Sequence, residues 1–168
     1  MRQVRNPLAI YLQDHHAAAQ AGTAIARRLA KNVSRDVEGG VELGRIALEI
    51  EEDLQTLKTI MTAASVPPSR LKDVLAVTAE RLGRMKLNGQ VRGRARLSDV
   101  IELETLIVGI TGKMALWQSL SLVGLPAGVD LTDLATRAMQ QRATVERCHR
   151  SASANAFASP GQRGRRNS

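Results

Sequence analysis

The feature that most constrains this chain is an apolar run at residues 98–122, which is far longer than a β-strand. Its large apolar side chains recur every three or four residues, at Val100, Leu103, Ile107, Ile110, Met114 and Trp117. That spacing lines one face of an α-helix, whereas a strand would alternate at every second residue. Glu104 is set among these residues, and its neighbours at helical spacing are Leu97, Ile101, Val108 and Ala115. We therefore expect a buried carboxylate at Glu104, which needs a partner or loses its ionisation.

The composition limits both the kind of core and the compartment. The chain has 168 residues, of which 43% are hydrophobic and only 2% aromatic. This size predicts a single domain, and a core of Leu, Ile, Val, Ala and Met suits packed helices better than a β-sandwich. The single cysteine, Cys148, excludes an internal disulfide and a cysteine-based zinc site. The first seven residues lack a signal-peptide core, and no run approaches about 20 apolar residues, so we expect a soluble, cytoplasmic protein without a membrane span.

Five helices are predicted in total, separated by cap and turn signals. Their approximate ranges are 7–31, 41–64, 70–86, 98–122 and 131 onward. Asn6 and Pro7 mark the start of the first helix, because asparagine caps well and proline needs no N–H at the first helical position. Asp130, followed three residues later by Asp133, resembles the capping box that begins the last helix.

The segments between and beyond these helices define the domain. Residues 90–97 are polar, basic and contain glycine, which predicts a loop that ends at Ser98 as the cap of the fourth helix. The boundaries that follow are an N-terminal segment at 1–6, a single helical-bundle domain at 7–155 and a disordered basic tail at 156–168.

Four short phrases of the sequence carry a resemblance when they are considered together. They lie at residues 11–15 (YLQDH), 49–53 (EIEED), 84–89 (RMKLNG) and 103–117, which begins with LE and ends with GKMALW. Together they resemble a family of bacterial proteins of unassigned function in the ferritin-like superfamily. The resemblance covers roughly residues 7–152. It implies an all-α fold, an antiparallel four-helix bundle with one long crossover. The predicted helix at 70–86 would fill that crossover, and the resemblance implies no known reaction.

The di-iron members of that superfamily take glutamates from two helices and a Glu-x-x-His motif from two others. This chain departs from their pattern. The second predicted helix has a glutamate, Glu52, where the motif needs histidine, and the first has Asp14 and His15 in place of a glutamate. Only Glu146-x-x-His149 fits. These departures from the ligand pattern argue against a working ferroxidase.

The implied crossover topology also places polar residues at similar heights. At about 1.5 Å per residue, Glu49, Glu104 and His149 fall within roughly one helical turn of each other. One hypothesis is thus a degenerate iron or manganese site made by Glu49, Glu104, Glu146 and His149. The alternative is that Glu104 is a structural carboxylate satisfied by an arginine, a hydroxyl or a histidine.

His15 and Asp53 fall together nearer the other end of such a bundle. We predict a buried polar pair there, with His15 as a core histidine bonded to Asp53 or to a threonine. His16 follows on a different face and is expected to be exposed to solvent. Lys113 is expected to form a surface or interhelix salt bridge.

The net charge of +8 is concentrated in the middle of the chain. Six cations without an acid occupy residues 81–96, namely Arg81, Arg84, Lys86, Arg92, Arg94 and Arg96. They predict either a solubilising surface or weak contact with nucleic acid or another polyanion without sequence preference, since no aromatic residue is interleaved for base stacking.

Three hypotheses for the function follow. The first is a non-catalytic interaction or structural module without a cofactor, because no phosphate-binding loop and no nucleophile constellation is present. Its partner would be an unknown protein, and wide apolar helix faces leave a homodimer open. The second is the iron or manganese site, and the third is polyanion binding through residues 81–96.

Overall fold

The computed structural model describes residues 6–33, 37–68, 91–124 and 128–158, and of residues 91–95 only the helical backbone. Four helices account for most of this part: α1 (Pro7–Asn32), α2 (Glu42–Ala63), α3 (Val91–Ser121) and α4 (Leu131–Phe157). The described ranges contain no strand, so the predicted all-α class is confirmed for them. The predicted helix at 70–86, the fifth of the proposed arrangement, lies outside the described residues.

The predicted cap signals start two of these helices. Asn6 Oδ1 accepts a hydrogen bond from the Leu8 backbone N–H at 3.0 Å, and Pro7 is the first residue of α1. Asp130 caps α4, since one carboxylate oxygen accepts from the backbone N–H groups of Thr132 and Asp133 at 3.0 and 2.9 Å. Both caps satisfy N–H groups that have no partner inside their own helix.

Cross-helix hydrogen bonds show that α1 is antiparallel to α3. Near the end of α1, Arg28 Nε donates to Glu102 Oε2 at 2.9 Å, early in α3. Near the start of α1, the Tyr11 hydroxyl donates to Ser119 Oγ at 3.3 Å, late in α3.

Contacts of the same kind show that α1 is also antiparallel to α2. Gln13 Nε2 donates to the carbonyl oxygen of Pro67 beyond the end of α2, at 3.0 Å, and Arg27 pairs with Glu51. Helices α2 and α3 therefore run in the same direction. The end of α2 and the start of α3 lie at opposite ends of the bundle.

The apolar core runs the length of the bundle. Its most deeply buried large side chains include Leu12, Leu29, Leu43, Ile46, Leu57, Leu103, Leu106, Leu116, Trp117 and Leu120. Helix α3 packs most extensively on α4, whereas the contact between α2 and α4 is slight. In the described part of the chain, no helix has an apolar stretch that would carry it across a lipid bilayer.

Two helix ends differ from the prediction. Helix α3 begins at Val91, so the loop predicted for 90–97 is wrong and Ser98 is not a cap. Arginine, alanine and leucine favour helix, which outweighs the single Gly93, and the Arg96 guanidinium donates to the Asn155 carbonyl oxygen on α4 at 3.5 Å. Helix α4 continues to Phe157, so residues 156 and 157 belong to the bundle and not to a tail. Residues 159–168 lie outside the described part.

The turn before α2 depends on a glycine. Gly39 has φ +82°, and a Cβ built there would lie 2.9 Å from the sulfur of Cys148.

We expect Gly39→Ala to lower the free energy of unfolding by about 1 to 3 kcal/mol, since both the backbone angle and the sulfur contact oppose a side chain. Gly44, inside α2, is the matched control, because its Cβ would meet nothing within 4 Å. Gly44→Ala should raise the free energy of unfolding by about 0.5 to 1 kcal/mol. Urea unfolding measures both variants. If Gly44→Ala were the less stable of the two, this description of the turn would be contradicted.

Candidate functional site

One group of charged and polar side chains is centred on a buried carboxylate between α2, α3 and α4. We call it the buried charge cluster: Asp53 on α2, Lys113 on α3, and Arg137 and Gln141 on α4, with Glu49 on α2 at its edge. Asp53 is only 2% exposed, and one of its carboxylate oxygens accepts from Lys113 Nζ while the other accepts from Arg137 Nη2. A carboxylate at this depth is tolerated because two cations and their hydrogen bonds replace water.

The cluster continues outward through a chain of side chains. Lys113 Nζ also donates to Gln141 Oε1 at 2.5 Å, and Gln141 Nε2 donates to Glu49 Oε2 at 3.0 Å. Glu49 pairs in addition with Arg45, one turn earlier on α2. Gln141 therefore uses its carbonyl oxygen on the cation and its amide hydrogens on the carboxylate.

The antiparallel register of α2 and α4 aligns these partners. Glu49 and Asp53 are four residues apart and share a face of α2, and Arg137 and Gln141 do the same on α4. Because the helices run in opposite directions, Asp53 meets Arg137 and Glu49 meets Gln141. Lys113 reaches the same place from α3.

Burial and the Asp53 carboxylate shift the pKa values of Lys113 and Arg137 in opposite directions. Burial lowers the pKa of Lys113, and the Asp53 carboxylate opposes that effect. For Arg137, burial is also unfavourable, but the hydrogen bond and the charge of Asp53 prevail, and the pKa of Arg137 is raised. Arg137 Nη1 in addition donates to the exposed Glu52 at 3.1 Å. The two carboxylates Glu49 and Asp53 and the two cations Lys113 and Arg137 thus carry opposite and equal charge within the cluster.

The prediction that Glu104 is buried is wrong, since its side chain is exposed. The α3 side chains that enter the core lie on another side of the helix, at Val100, Leu103, Leu106, Ile110 and Trp117. Helix α3 is apolar on nearly all sides, so the pattern did not reveal which side faces the core.

The residues of the predicted metal site are not brought together. Glu49 is held by Arg45 and Gln141, and Glu146 pairs with Arg142 one turn away on α4 at 2.7 Å. His149 is half-buried, and the exposed Glu104 contributes nothing to the interior. Across the ranges that the structure describes, no group of three or more His, Cys, Asp or Glu side chains is placed to hold a metal ion.

The two adjacent histidines are placed differently from the prediction. His16 is only 1% exposed, and Gln20 Nε2 donates to its Nε2 at 3.3 Å, so the expectation of an exposed side chain is wrong. His15 is half-buried, and its ring meets Tyr11 edge-on at a centroid distance of 4.5 Å. His15 and Asp53 line the same cleft of about 50 Å³, but the bonds of Asp53 go to the two cations of the buried charge cluster.

These histidines make stability depend on pH. Burial lowers the pKa of both, and the charge of Lys58 lowers that of His16 further. Above about pH 7.5 both the folded and the unfolded state are almost entirely deprotonated at these histidines. As the pH is lowered from that value, the unfolded chain takes up the protons first, so the free energy of unfolding decreases as the pH decreases. We expect His16 to contribute a loss of up to roughly 1.4 kcal/mol between about pH 7.5 and 5.5. Urea unfolding at both pH values should show a shallower loss in His16→Gln, and an unchanged loss would contradict the assignment.

Most of the predicted polyanion-binding segment lies beyond the described part of the chain. Arg81, Arg84 and Lys86 fall outside it, and Arg92 and Arg94 are described only as helical backbone. Arg96 is exposed at the start of α3. Polyanion binding stays a prediction, and its signature would be an affinity that falls steeply with salt.

The remaining reactive group is Cys148, the only cysteine of the chain. It is fully buried, and burial raises the pKa of its thiol to about 11. A nucleophilic cysteine needs a lowered pKa and access to substrate, so Cys148 has the properties of a packing residue.

Comparison of the chain with models of known protein families, with curated proteins and with solved structures finds no match.

Proposed function

We propose that this protein is a non-catalytic helical-bundle module that acts by binding other macromolecules. The observation that carries the proposal is the buried charge cluster, in which Asp53 is bonded by both Lys113 and Arg137. A catalytic or metal-binding carboxylate needs an open coordination position or a free lone pair facing a cleft. Among the described residues, Asp53 is the most buried carboxylate, and each of its two oxygens is engaged by a protein cation. This arrangement supports a structural role in which Asp53 fixes the packing of three helices.

The same arrangement supports kinship with the ferritin-like superfamily as part of this proposal. Helices α2 and α3 are parallel to each other and antiparallel to α1, which fits a four-helix bundle with one long crossover. Polar residues from three helices meet between α2, α3 and α4, and di-iron bundles build their metal sites from side chains that face one another in the bundle core. In this chain a lysine and an arginine occupy that region, and they supply the positive charge that metal ions would otherwise supply.

Metal analysis of the untagged purified protein tests the proposal. We expect no stoichiometric iron or manganese, and no rise in the melting temperature when Fe²⁺ or Mn²⁺ is added, because a bound ion would stabilise the folded state by mass action. Glu49→Gln and Glu104→Gln are the diagnostic variants. Stoichiometric metal that is lost in either variant would overturn the proposal and favour the degenerate iron or manganese site.

A further inference from the structure

The cleft that His15 and Asp53 line lies between α1, α2 and α3. Ala18 and Gly22 on α1 and Gly109 on α3 also line it, and a Cβ built at either glycine would meet nothing within 4 Å. Ala18 and Gly109 are exposed. The small residues of α1 and α3 therefore leave the cleft open to solvent between these two helices.

The inner wall of the cleft is apolar and belongs to the core. Leu57, Leu106 and Trp117 line it, and each of them is at most 2% exposed. The opening between α1 and α3 thus leads from solvent to core side chains. Apolar walls with a few polar groups are typical of sites for small molecules.

The opening is bounded along both flanking helices. On one side of it Tyr11 donates to Ser119, and on the other side Arg28 donates to Glu102. Both hydrogen bonds join α1 to α3, so the cleft is a window between two bonded helices and not a groove along the whole bundle. A further helix could enter it only by separating α1 from α3, whereas a small molecule can enter without that change.

The dimensions of the cleft select a linear ligand. Its lining residues run from His15 to Gly22 on α1 and from Ile50 to Leu57 on α2, which is roughly 10 Å along each helix. A volume of about 50 Å³ over that length makes a long and narrow space. It is smaller than the roughly 150 Å³ cavity that holds benzene in an engineered protein core. An unbranched alkyl chain therefore fits better than a ring.

The polar groups of the cleft favour a ligand without charge. Its two charged residues, Asp53 and Lys113, are paired with each other. Burial lowers the pKa of His15, so its ring is neutral at pH 7 and offers one N–H donor and one acceptor nitrogen. No described residue hydrogen-bonds these nitrogens, and the ring contact is with Tyr11. A hydroxyl group can both donate to and accept from such an imidazole.

We propose that this cleft binds the unbranched alkyl chain of a small neutral amphiphile such as a primary alcohol. The chain lies along Leu57 and Trp117, and the hydroxyl group bonds to His15. Because the cleft is open, a chain longer than the cleft extends into solvent. The inference does not depend on the proposed function, since it adds a small-molecule site to the bundle whether or not the bundle binds other macromolecules.

Fluorescence titration of the full-length chain with n-hexanol tests the inference. Trp117 is the only tryptophan and lines the cleft, so a bound chain changes its emission directly. We expect a saturable change at millimolar alcohol. Cyclohexanol, which has the same six carbons in a ring, should bind at least roughly tenfold more weakly. Hexanoate should also bind more weakly, because its charge finds no free cation in the cleft.

Two glycines of α3 give a matched pair of variants. Gly109→Leu places a side chain at the opening and should abolish the saturable change. Gly112→Leu is the control, because Gly112 is on the same helix, does not line the cleft, and has equally open space at its Cβ. His15→Phe keeps a ring of similar shape without nitrogens and should weaken n-hexanol binding by about tenfold.

Nuclear Overhauser contacts between the methylene protons of n-hexanol and the indole of Trp117 provide a second measurement. A flat titration without such contacts would overturn the inference, and so would equal binding of the two alcohols or binding that survives Gly109→Leu. If another part of the chain or a second copy filled the cleft, n-hexanol would not bind and Gly109→Leu would be less stable than Gly112→Leu. That outcome would also overturn it.

Discussion

Replacing Asp53 by asparagine is expected to lower the free energy of unfolding by about 3 to 5 kcal/mol, although the side chain keeps its size. The reason is that Lys113, which is 13% exposed, would then be left in the interior without a carboxylate, and Arg137 would keep only its pair with the exposed Glu52. Such a loss is a large part of the total stability of a domain. Urea unfolding followed by circular dichroism measures it.

The neighbouring carboxylate provides the control. Glu52 also accepts a hydrogen bond from Arg137, but its side chain is 65% exposed. Exposed ion pairs contribute little, so Glu52→Gln should change the stability by less than about 1 kcal/mol. If Asp53→Asn and Glu52→Gln lowered the free energy of unfolding by similar amounts, burial would not determine how strongly these ion pairs stabilise the fold. That result would contradict our description of the cluster.

Trp117→Ala should be comparably damaging, with a loss of about 3 to 5 kcal/mol. Trp117 is the only tryptophan of the chain, is 1% exposed, and lies in the core between α3 and its neighbours. Its removal leaves a cavity that the surrounding helices can fill only in part. Because the variant loses the tryptophan fluorescence, unfolding has to be followed by circular dichroism.

Trp117→Phe separates volume from hydrogen bonding. Within the described residues, the indole Nε1 of Trp117 has no hydrogen-bond partner. Phenylalanine therefore gives up part of the volume but no hydrogen bond, and we expect a loss of only about 1 to 2 kcal/mol. A loss as large as that of Trp117→Ala would show that the N–H group contributes to stability.

Local signals in the sequence were sufficient for much of the fold. Asn6, Pro7 and Asp130 each act within one turn of chain, so the starts of α1 and α4 could be predicted from neighbouring residues alone. Residues 91–97 show the limit of that reasoning. Glycine and polar residues suggested a loop, but helix propensity and a contact with α4 prevail.

The position of Glu104 could not be predicted, because α3 offers two apolar sides and only tertiary packing decides which one is buried.

The interhelix salt bridge predicted for Lys113 is confirmed, but the sequence alone does not identify Asp53 as its partner. The missing signal was the pairing of two four-residue spacings, Glu49 with Asp53 and Arg137 with Gln141. That pairing is visible in the sequence only once the antiparallel register of α2 and α4 is known.

A double-mutant cycle between Asp53 and Lys113 tests the central claim most directly, namely that the buried charges of this bundle stabilise one another. The free energies of unfolding of Asp53→Asn, Lys113→Met and the double variant are compared with that of the unaltered chain. We expect a coupling energy of about 2 to 3 kcal/mol, with the double variant losing much less than the sum of the two single variants. Strictly additive losses would contradict the claim, because they would mean that the two groups do not depend on each other.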